Sequence, residues 1–179
     1  MKYCPSCAHT LAIRIPEGDS LPRYVCEACG EIHYRNPRLV VGCVPVWEGR
    51  ILLCRRAIEP RYGYWTTPAG FLENDETCEE GAARETEEEA RARVEVGSPL
   101  AMMDVVHARQ VHLMYRARML DASHEAGPES LETALVDPDA IPWEELAFPS
   151  IRFSLEAWLK DRESGREDFH VSHVRRRGW

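Results

Sequence analysis

No stretch of this sequence approaches the roughly 20 consecutive apolar residues that cross a bilayer. The opening Met1-Lys2-Tyr3-Cys4-Pro5 has no apolar leader core, so a soluble, cytoplasmic protein with no membrane partner is expected. There is no surplus of positive charge. Asp and Glu outnumber Lys and Arg by 30 to 22, giving a net charge of −8. Such a surface repels the phosphate backbone, so nucleic acid is not the expected partner. A small anionic substrate would need a local source of cations, and metal ions supply one. Seven cysteines, an odd number, exclude a complete disulfide framework. No internal repeat is present.

Four of those cysteines form two Cys-x-x-Cys pairs, Cys4/Cys7 and Cys26/Cys29, with 18 residues between the pairs. That spacing suits one tetrahedral zinc ion held by four thiolates, a closed site that is structural rather than catalytic. A redox pair or iron–sulfur ligation are the alternatives, and two evenly matched pairs favour zinc. A module of this size buries too little surface to fold well alone, so the metal supplies the missing stability. His9 and His33 lie nearby without being needed as ligands. Arg14 and Arg23 are interspersed with Glu17, Asp19, Glu27 and Glu31, which is no basic stripe. Cys43 and Cys54 sit in apolar runs and read as small hydrophobes.

Asn36-Pro37 marks a boundary, so the expected organisation is a ribbon over 1–36, a main domain over 37–163 and a charged tail over 164–179. Strands are predicted at Leu39–Val46 and Ile51–Cys54 across a Trp47–Arg50 turn, at Met102–Val106, and over the alternating Val111–Met119. Residues 60–75, rich in Gly, Pro and aromatics, read as a loop, as does Asp121–Ser130. Ala/Glu/Arg-rich composition predicts a helix from Thr77 to about Arg93, with Thr77 and Glu80 spaced as a capping box. Ser150 is expected to cap a last helix with the apolar stripe Ile151, Leu155, Trp158 and Leu159. The sum is an α/β protein with a mixed sheet covered by helices. The closing Arg175–Arg177 run reads as solvated.

Glu85, Glu88 and Glu89 stand at i, i+3 and i+4 on the predicted helix, within an arc of about 100°. Crowded carboxylates repel one another unless cations join them, and hard oxygen ligands suit Mg²⁺ or Mn²⁺. Taken alone, an acidic helix reads first as a solvated face, to which Glu79, Glu80 and Glu87 belong.

The wider pattern runs Gly70, five residues, Glu76, seven residues, Arg84-Glu85, two residues, Glu88-Glu89. It resembles the Nudix box. Thr86 stands where that family prefers an aliphatic residue, Pro68-Ala69-Gly70 where Pro-Gly-Gly is common, and Asn74-Asp75 at a turn often containing Gly. Arg91 and Ala92 replace the Gly and aliphatic that close the box, so the helix is expected to run a turn longer. The resemblance implies a Nudix α/β/α sandwich behind a zinc ribbon. It implies catalytic Mg²⁺ or Mn²⁺ held by Glu85, Glu88 and Glu89 with the Gly70 carbonyl, Arg84 holding the carboxylates, and Glu76 bracing the box. The implied reaction is attack of water on a diphosphate phosphorus. A general base from a loop after the box falls on Glu132, with Glu129 close behind; either is also readable as a solvated side chain.

Over most of its length the chain is similar to zinc-ribbon Nudix proteins, the NADH pyrophosphatases and the plant-type FAD/ADP-ribose pyrophosphatases. The shared residues include Val40-Val41-Gly42-Cys43, Leu52-Leu53-Cys54-Arg55-Arg56, Trp65, Gly127-Pro128-Glu129-Ser130-Leu131-Glu132 and Ala147-Phe148. Residues 98–112 hold nothing like the Ser-Gln-Pro-Trp-Pro-Phe-Pro run of the NADH group, which favours FAD or ADP-ribose, cleaved to AMP. Many relatives pair into homodimers. Arg55 or Arg56 is a candidate phosphate contact or a surface ion pair, and Trp65, Tyr62 and Tyr64 are candidates for stacking on a ring, with core packing the stronger reading for Trp65. His107 and His112 read as structural. The rival readings are a non-catalytic nucleotide sensor, which would be expected to lose box glutamates, and a decapping hydrolase, which would want a basic groove.

Overall fold

The computed structural model describes residues 1–175, and the chain divides into two compact units between Pro37 and Arg38. In the first, β1 (Leu11–Arg14), β2 (Arg23–Cys26) and β3 (Ile32–His33) form an antiparallel sheet. Both Cys-x-x-Cys turns close alike. The Ala8 N–H donates to the Cys4 carbonyl and the Gly30 N–H to the Cys26 carbonyl, each at 2.8 Å. The donor is left-handed in each case, with φ of 59° at Ala8 and 76° at Gly30. Glycine takes this conformation freely, whereas alanine pays about 1 kcal/mol for it.

The second unit is built on a mixed sheet. Its strands are β4 (Arg38–Trp47), β5 (Arg50–Arg56), β6 (Trp65–Thr66), β7 (Ala69–Phe71), β8 (Val94–Val105), β9 (Gln110–Met119), β10 (Ser130–Val136) and β11 (His170–Val174). The order is β10-β5-β4-β9-β8-β11, with β6 on β5 and β7 on β4; β4 runs parallel to β9, and β11 parallel to β8. Side chains alternate across β4 and β9 with the period of two that strands impose. Cys43, Tyr115 and Ala117 pack with Ala82 of α1 (Cys78–Ala90) on one face. Val44 and Met114 pack with Ile151 and Leu155 of α2 (Pro149–Ser164) on the other. The result is an α/β/α sandwich.

One irregularity positions the site. Strands β4 and β5 pair only beside their turn, at Val46↔Ile51 and Trp47↔Arg50. Beyond that they diverge. The fork is filled by β7, which takes the edge of β4 at Val40–Gly42, and by β6, which takes the edge of β5 at Cys54 and Arg55.

Several expectations change. Helix α1 stops at Ala90 instead of running a turn longer, because Arg91 adopts the left-handed cap conformation (φ 50°) and its N–H bonds the Glu87 carbonyl at 2.9 Å. A side chain here does what the family's glycine does. The cap of α2 is Phe148, with Pro149 as its first residue, so Ser150 lies inside the helix and its hydroxyl serves another partner. Strand β8 begins at Val94 rather than Met102, its pattern broken by irregularities between Val96 and Ala101. Within the charged tail expected over 164–179, five residues join the sheet. His170–Val174 is the sheet's edge strand, fastened through buried Asp161, which bonds His170 Nε2 (2.9 Å) and pairs with Arg116. Arg176 and Arg177 lie outside the described residues. No described helix is long and apolar enough to cross a membrane.

Candidate active site

Helix α1 starts with the expected capping box: the Glu80 N–H bonds Thr77 Oγ1 (3.2 Å), and the Thr77 N–H bonds Glu80 Oε2 (2.8 Å). Glu79 and Glu80 in the first turn complement the helix dipole. Ala82, Thr86 and Ala90 are fully buried along the face toward the sheet. Thr86 sits there in place of an aliphatic residue by donating its hydroxyl to the Ala82 carbonyl at 2.8 Å, with Cys43 Sγ 3.1 Å away. The next face points into the fork.

Glu85 and Glu89 on that face are only 9% and 6% exposed, while Glu88 turns outward. Arg84 holds the group together. Its Nε and one amino group donate to the two oxygens of Glu76 (2.9 and 2.8 Å), and the other reaches Glu85 (2.8 Å) and Glu88 (3.2 Å). The fork-on-carboxylate pair holds Glu76 near a pKa of about 2, with help from the Glu73 N–H. Glu76 therefore braces the loop and has no proton to exchange near neutrality.

Glu89 is its opposite. Burial first, and then the charge of Glu85, push its carboxyl up to about 8 against the pull of Arg56, and its Oε2 is buried without a hydrogen-bond partner among the described residues. Burial likewise raises Glu85, against the pull of Arg84. Two desolvated carboxyls side by side form an unfavourable arrangement that a cation reverses. Hard oxygen donors and an orphaned carboxylate oxygen fit Mg²⁺ or Mn²⁺. Gly70 belongs to the same wall: a Cβ there would lie 2.3 Å from the Glu85 carboxylate, so only glycine leaves that group its place.

The loop after β9 completes the cluster. The Glu125 N–H bonds the Ala90 carbonyl (2.9 Å) and the Gly127 N–H bonds the Glu89 carbonyl (3.0 Å), satisfying the open end of α1. The approach is so close that a Cβ on Gly127 would lie 1.7 Å from the Glu88 carbonyl oxygen. Glu129 follows, its own carbonyl accepting from the Ala57 N–H (2.8 Å), and lines one cavity with Glu85, Glu88 and Glu89. Glu132, the favoured base from sequence, is elsewhere. It lies across from Arg55 on β10, pairs with it at 2.8 Å, and lines no part of that cavity.

The cavity measures about 830 Å³, within the range that holds a nucleotide-sized ligand. Arg56 lines it from a buried position, its Nε bonded to the Pro60 carbonyl (3.0 Å) and its guanidinium 5.0 Å from the Phe148 ring; burial lowers its pKa. Trp65 packs instead against the core shared with α2, and Tyr62 and Tyr64 do not line the cavity. The phenyl rings that do are Phe71 and Phe148, to which the sequence reading gave no site role. Phe71 follows the box glycine with no signal of its own, and Phe148, part of the resemblance, precedes a helix with nothing local to mark its ring for the cavity. The close approach of Gly127 was equally unread, although the residue was part of the quoted resemblance.

In the ribbon, Cys4 and Cys29 sulfurs lie 3.8 Å apart and Cys7 and Cys26 sulfurs 3.4 Å, with no disulfide among them. All four fall within 4.8 Å of one another. Zinc–sulfur bonds of about 2.3 Å give a tetrahedral edge of about 3.8 Å, so the set fits Zn²⁺.

Comparison with known proteins agrees with both units. The zinc-ribbon family described as "Nudix N-terminal" matches residues 2–35, and the family described as "NUDIX domain" matches residues 36–159. A "MutT-like protein" from Streptomyces ambofaciens is 35% identical over 57% of this chain and 64% of its own length. An "NAD-capped RNA hydrolase NudC" from Chromobacterium violaceum is 38% identical over 52% of this chain and 33% of its own. The chain thus spans less than two thirds of these curated relatives. A crystal structure of a NUDIX hydrolase from Nitrosomonas europaea covers 98% of this chain and all of its own, with 47% identity and a TM-score of 0.95. An ADP-ribose pyrophosphatase from Streptococcus suis shares the fold, with a TM-score of 0.61 at 20% identity over 78% of this chain and all of its own. With its capped carboxylate helix, its α/β/α sandwich and its four-cysteine ribbon, the chain belongs to the Nudix hydrolase family, in the group that carries an N-terminal zinc ribbon.

Proposed function

We propose that the protein hydrolyses the diphosphate bond of a nucleoside diphosphate linked to a second moiety, with FAD or ADP-ribose as substrate and AMP as a product. The observation that carries this reading is the buried pair Glu85 and Glu89, one oxygen of which lacks a partner, opening into a nucleotide-sized cavity. Glu85, Glu88 and Glu89, with Gly70, are the residues to hold Mg²⁺ or Mn²⁺. When bound, such ions neutralise phosphate oxygens and lower the pKa of water. Arg84 keeps Glu85 and Glu88 aimed while Glu76 anchors Arg84 from behind. Arg56 supplies a fixed positive charge to the diphosphate inside the cavity. Glu129 is the residue to take the proton of the attacking water, since its loop delivers it to the same wall. Glu132 and Arg55 satisfy each other and are assigned no part in the chemistry.

FAD and ADP-ribose stand ahead of NADH because residues 98–112 lack the NADH group's aromatic and proline run. The relatives named for NAD-capped RNA put NADH and capped RNA on the same panel. Release of AMP is measured from FAD, ADP-ribose, NADH, nucleoside triphosphates and NAD-capped RNA with Mg²⁺, for wild type, Glu88→Gln and Glu89→Gln. Turnover of FAD or ADP-ribose that falls at least a hundredfold in Glu89→Gln is expected. Tight binding of one compound with no turnover of any would replace the hydrolase reading by a nucleotide sensor.

A further inference from the structure

The cavity has a second wall that takes no part in the chemistry above. It is formed by the hairpin joining β8 to β9, where Val105 pairs with Gln110. The hairpin contributes Val105, His107, Ala108, Gln110 and His112 to the lining, none of them an acid, a lysine or an arginine. His112 lies beside Val40 in the sheet, and Val40 beside Phe71. Two strand spacings therefore separate the backbones of His112 and Phe71, about 10 Å. A ligand whose phosphates meet the carboxylates has this wall within the same cavity for its remaining half.

The polar groups here are ordered by a relay. Gln110 Oε1 lies 2.9 Å from His112 Nε2, and Ser150 Oγ lies 2.8 Å from His112 Nδ1. A carbonyl oxygen only accepts, so the His112 Nε2–H donates to Gln110, and Nδ1 accepts from the Ser150 hydroxyl. Ser150 is buried on α2 and His112 on β9, so the amide of Gln110 is held by two rigid elements. Its NH₂ group finds no acceptor among the described residues, and its oxygen keeps a second lone pair. In the same hairpin, His107 Nδ1 is buried without a hydrogen-bond partner among the described residues. Buried polar atoms of native proteins are satisfied as a rule, so the orphaned ring nitrogen of His107 calls for a partner, and the part-exposed Gln110 amide keeps an open donor on the same cavity wall.

We infer that Gln110, oriented by His112 and Ser150 and accompanied by His107, is the specificity element for the ring half of the substrate, recognising a planar heterocycle with a donor and an acceptor side by side on its edge. A glutamine amide offers one donor and one acceptor in the same plane, which is how it reads adenine. The flavin ring carries an equivalent edge. A phosphate would leave the amide's acceptor unused and would find no lysine or arginine in the lining that the hairpin provides. The inference rests on the diphosphate-hydrolase reading of the same cavity and names which part of that substrate the enzyme selects.

Product binding tests it without requiring turnover. Affinities for AMP, FMN and ring-less ribose 5-phosphate are measured by calorimetry with Mg²⁺ on wild type, Gln110→Met and Gln110→Glu. Glutamate keeps an acceptor for His112 and loses the donor; methionine keeps the length and loses both. At least tenfold weaker binding of AMP or of FMN in both variants is expected, with ribose 5-phosphate changed less than twofold. Loss on AMP assigns adenine to this wall, and loss on FMN assigns the flavin. Binding of both nucleotides within twofold of wild type, or an equal loss for ribose 5-phosphate, overturns the inference. The substrate panel reports separately on the hydrolase reading.

Discussion

At the scale of single residues, the same side-chain type takes opposite properties from its surroundings. Glu76, gripped by a guanidinium just before the helix, stays ionised to about pH 2, whereas Glu89, desolvated in its last turn, sits near 8. His112 shows the same logic with the opposite charge. Burial lowers it to about 4, so it is neutral in the fold throughout the physiological range. An unfolded histidine titrates near 6.5. Between those values the unfolded chain binds a proton that the folded chain refuses, so this residue's contribution to stability falls as pH falls through 6.5 and levels off below about 4. The expected loss from pH 7 to 5.5 is roughly 1 kcal/mol. It is read as the difference between urea unfolding of wild type and His112→Gln at the two pH values; a difference that does not change with pH would show that His112 takes up its proton as readily in the fold as in the unfolded chain.

At the scale of elements, the carboxylate helix was readable because its information is local: cap, alternation of faces and charge spacing all lie within one stretch of chain. Its length was misread at Arg91, where a left-handed conformation is carried by a residue type that gives no sign of it. The sequence placed Glu132 ahead of Glu129 with no local signal to separate them, for a related reason. They are three residues apart, Glu129 at the end of the loop and Glu132 on β10, and only the docking of the loop onto α1 and of β10 onto β5 separates them. Gly127 controls the docking, since the Glu88 carbonyl occupies the space of any Cβ. Gly127→Ala is therefore expected to push the loop off the helix end and to carry Glu129 away from the carboxylates. At least tenfold loss of kcat is the expected outcome, with metal affinity lowered much less, measured by steady-state kinetics and Mn²⁺ titration. Equal activity in that variant would mean that Glu129 has no role requiring its present position.

For the whole molecule, two units with different sources of stability follow one another along the chain. The second has cores on both faces of its sheet, with Leu53, Leu100 and Leu155 fully buried, so its fold rests on apolar burial. The first has a sheet of three short strands and exposes Ile13, Ile15, Leu21 and Tyr34, so its order must come from the cysteine cluster. The cysteines therefore separate into classes by what shields them. Cys43 and Cys54 are protected by packing, and burial pushes both thiols upward, to about 12 for Cys43. Cys7 and Cys29 are exposed to solvent and would be shielded only by a bound ion, with Cys4 and Cys26 behind them. One zinc per chain is expected by elemental analysis of the native protein. Its removal by a strong chelator is expected to make four further thiols reactive toward a disulfide reagent, while Cys43 and Cys54 stay protected until denaturant is added. If the native protein held no zinc and all four ribbon thiols reacted at once, the ribbon's order would need another source, which its small apolar interior does not offer.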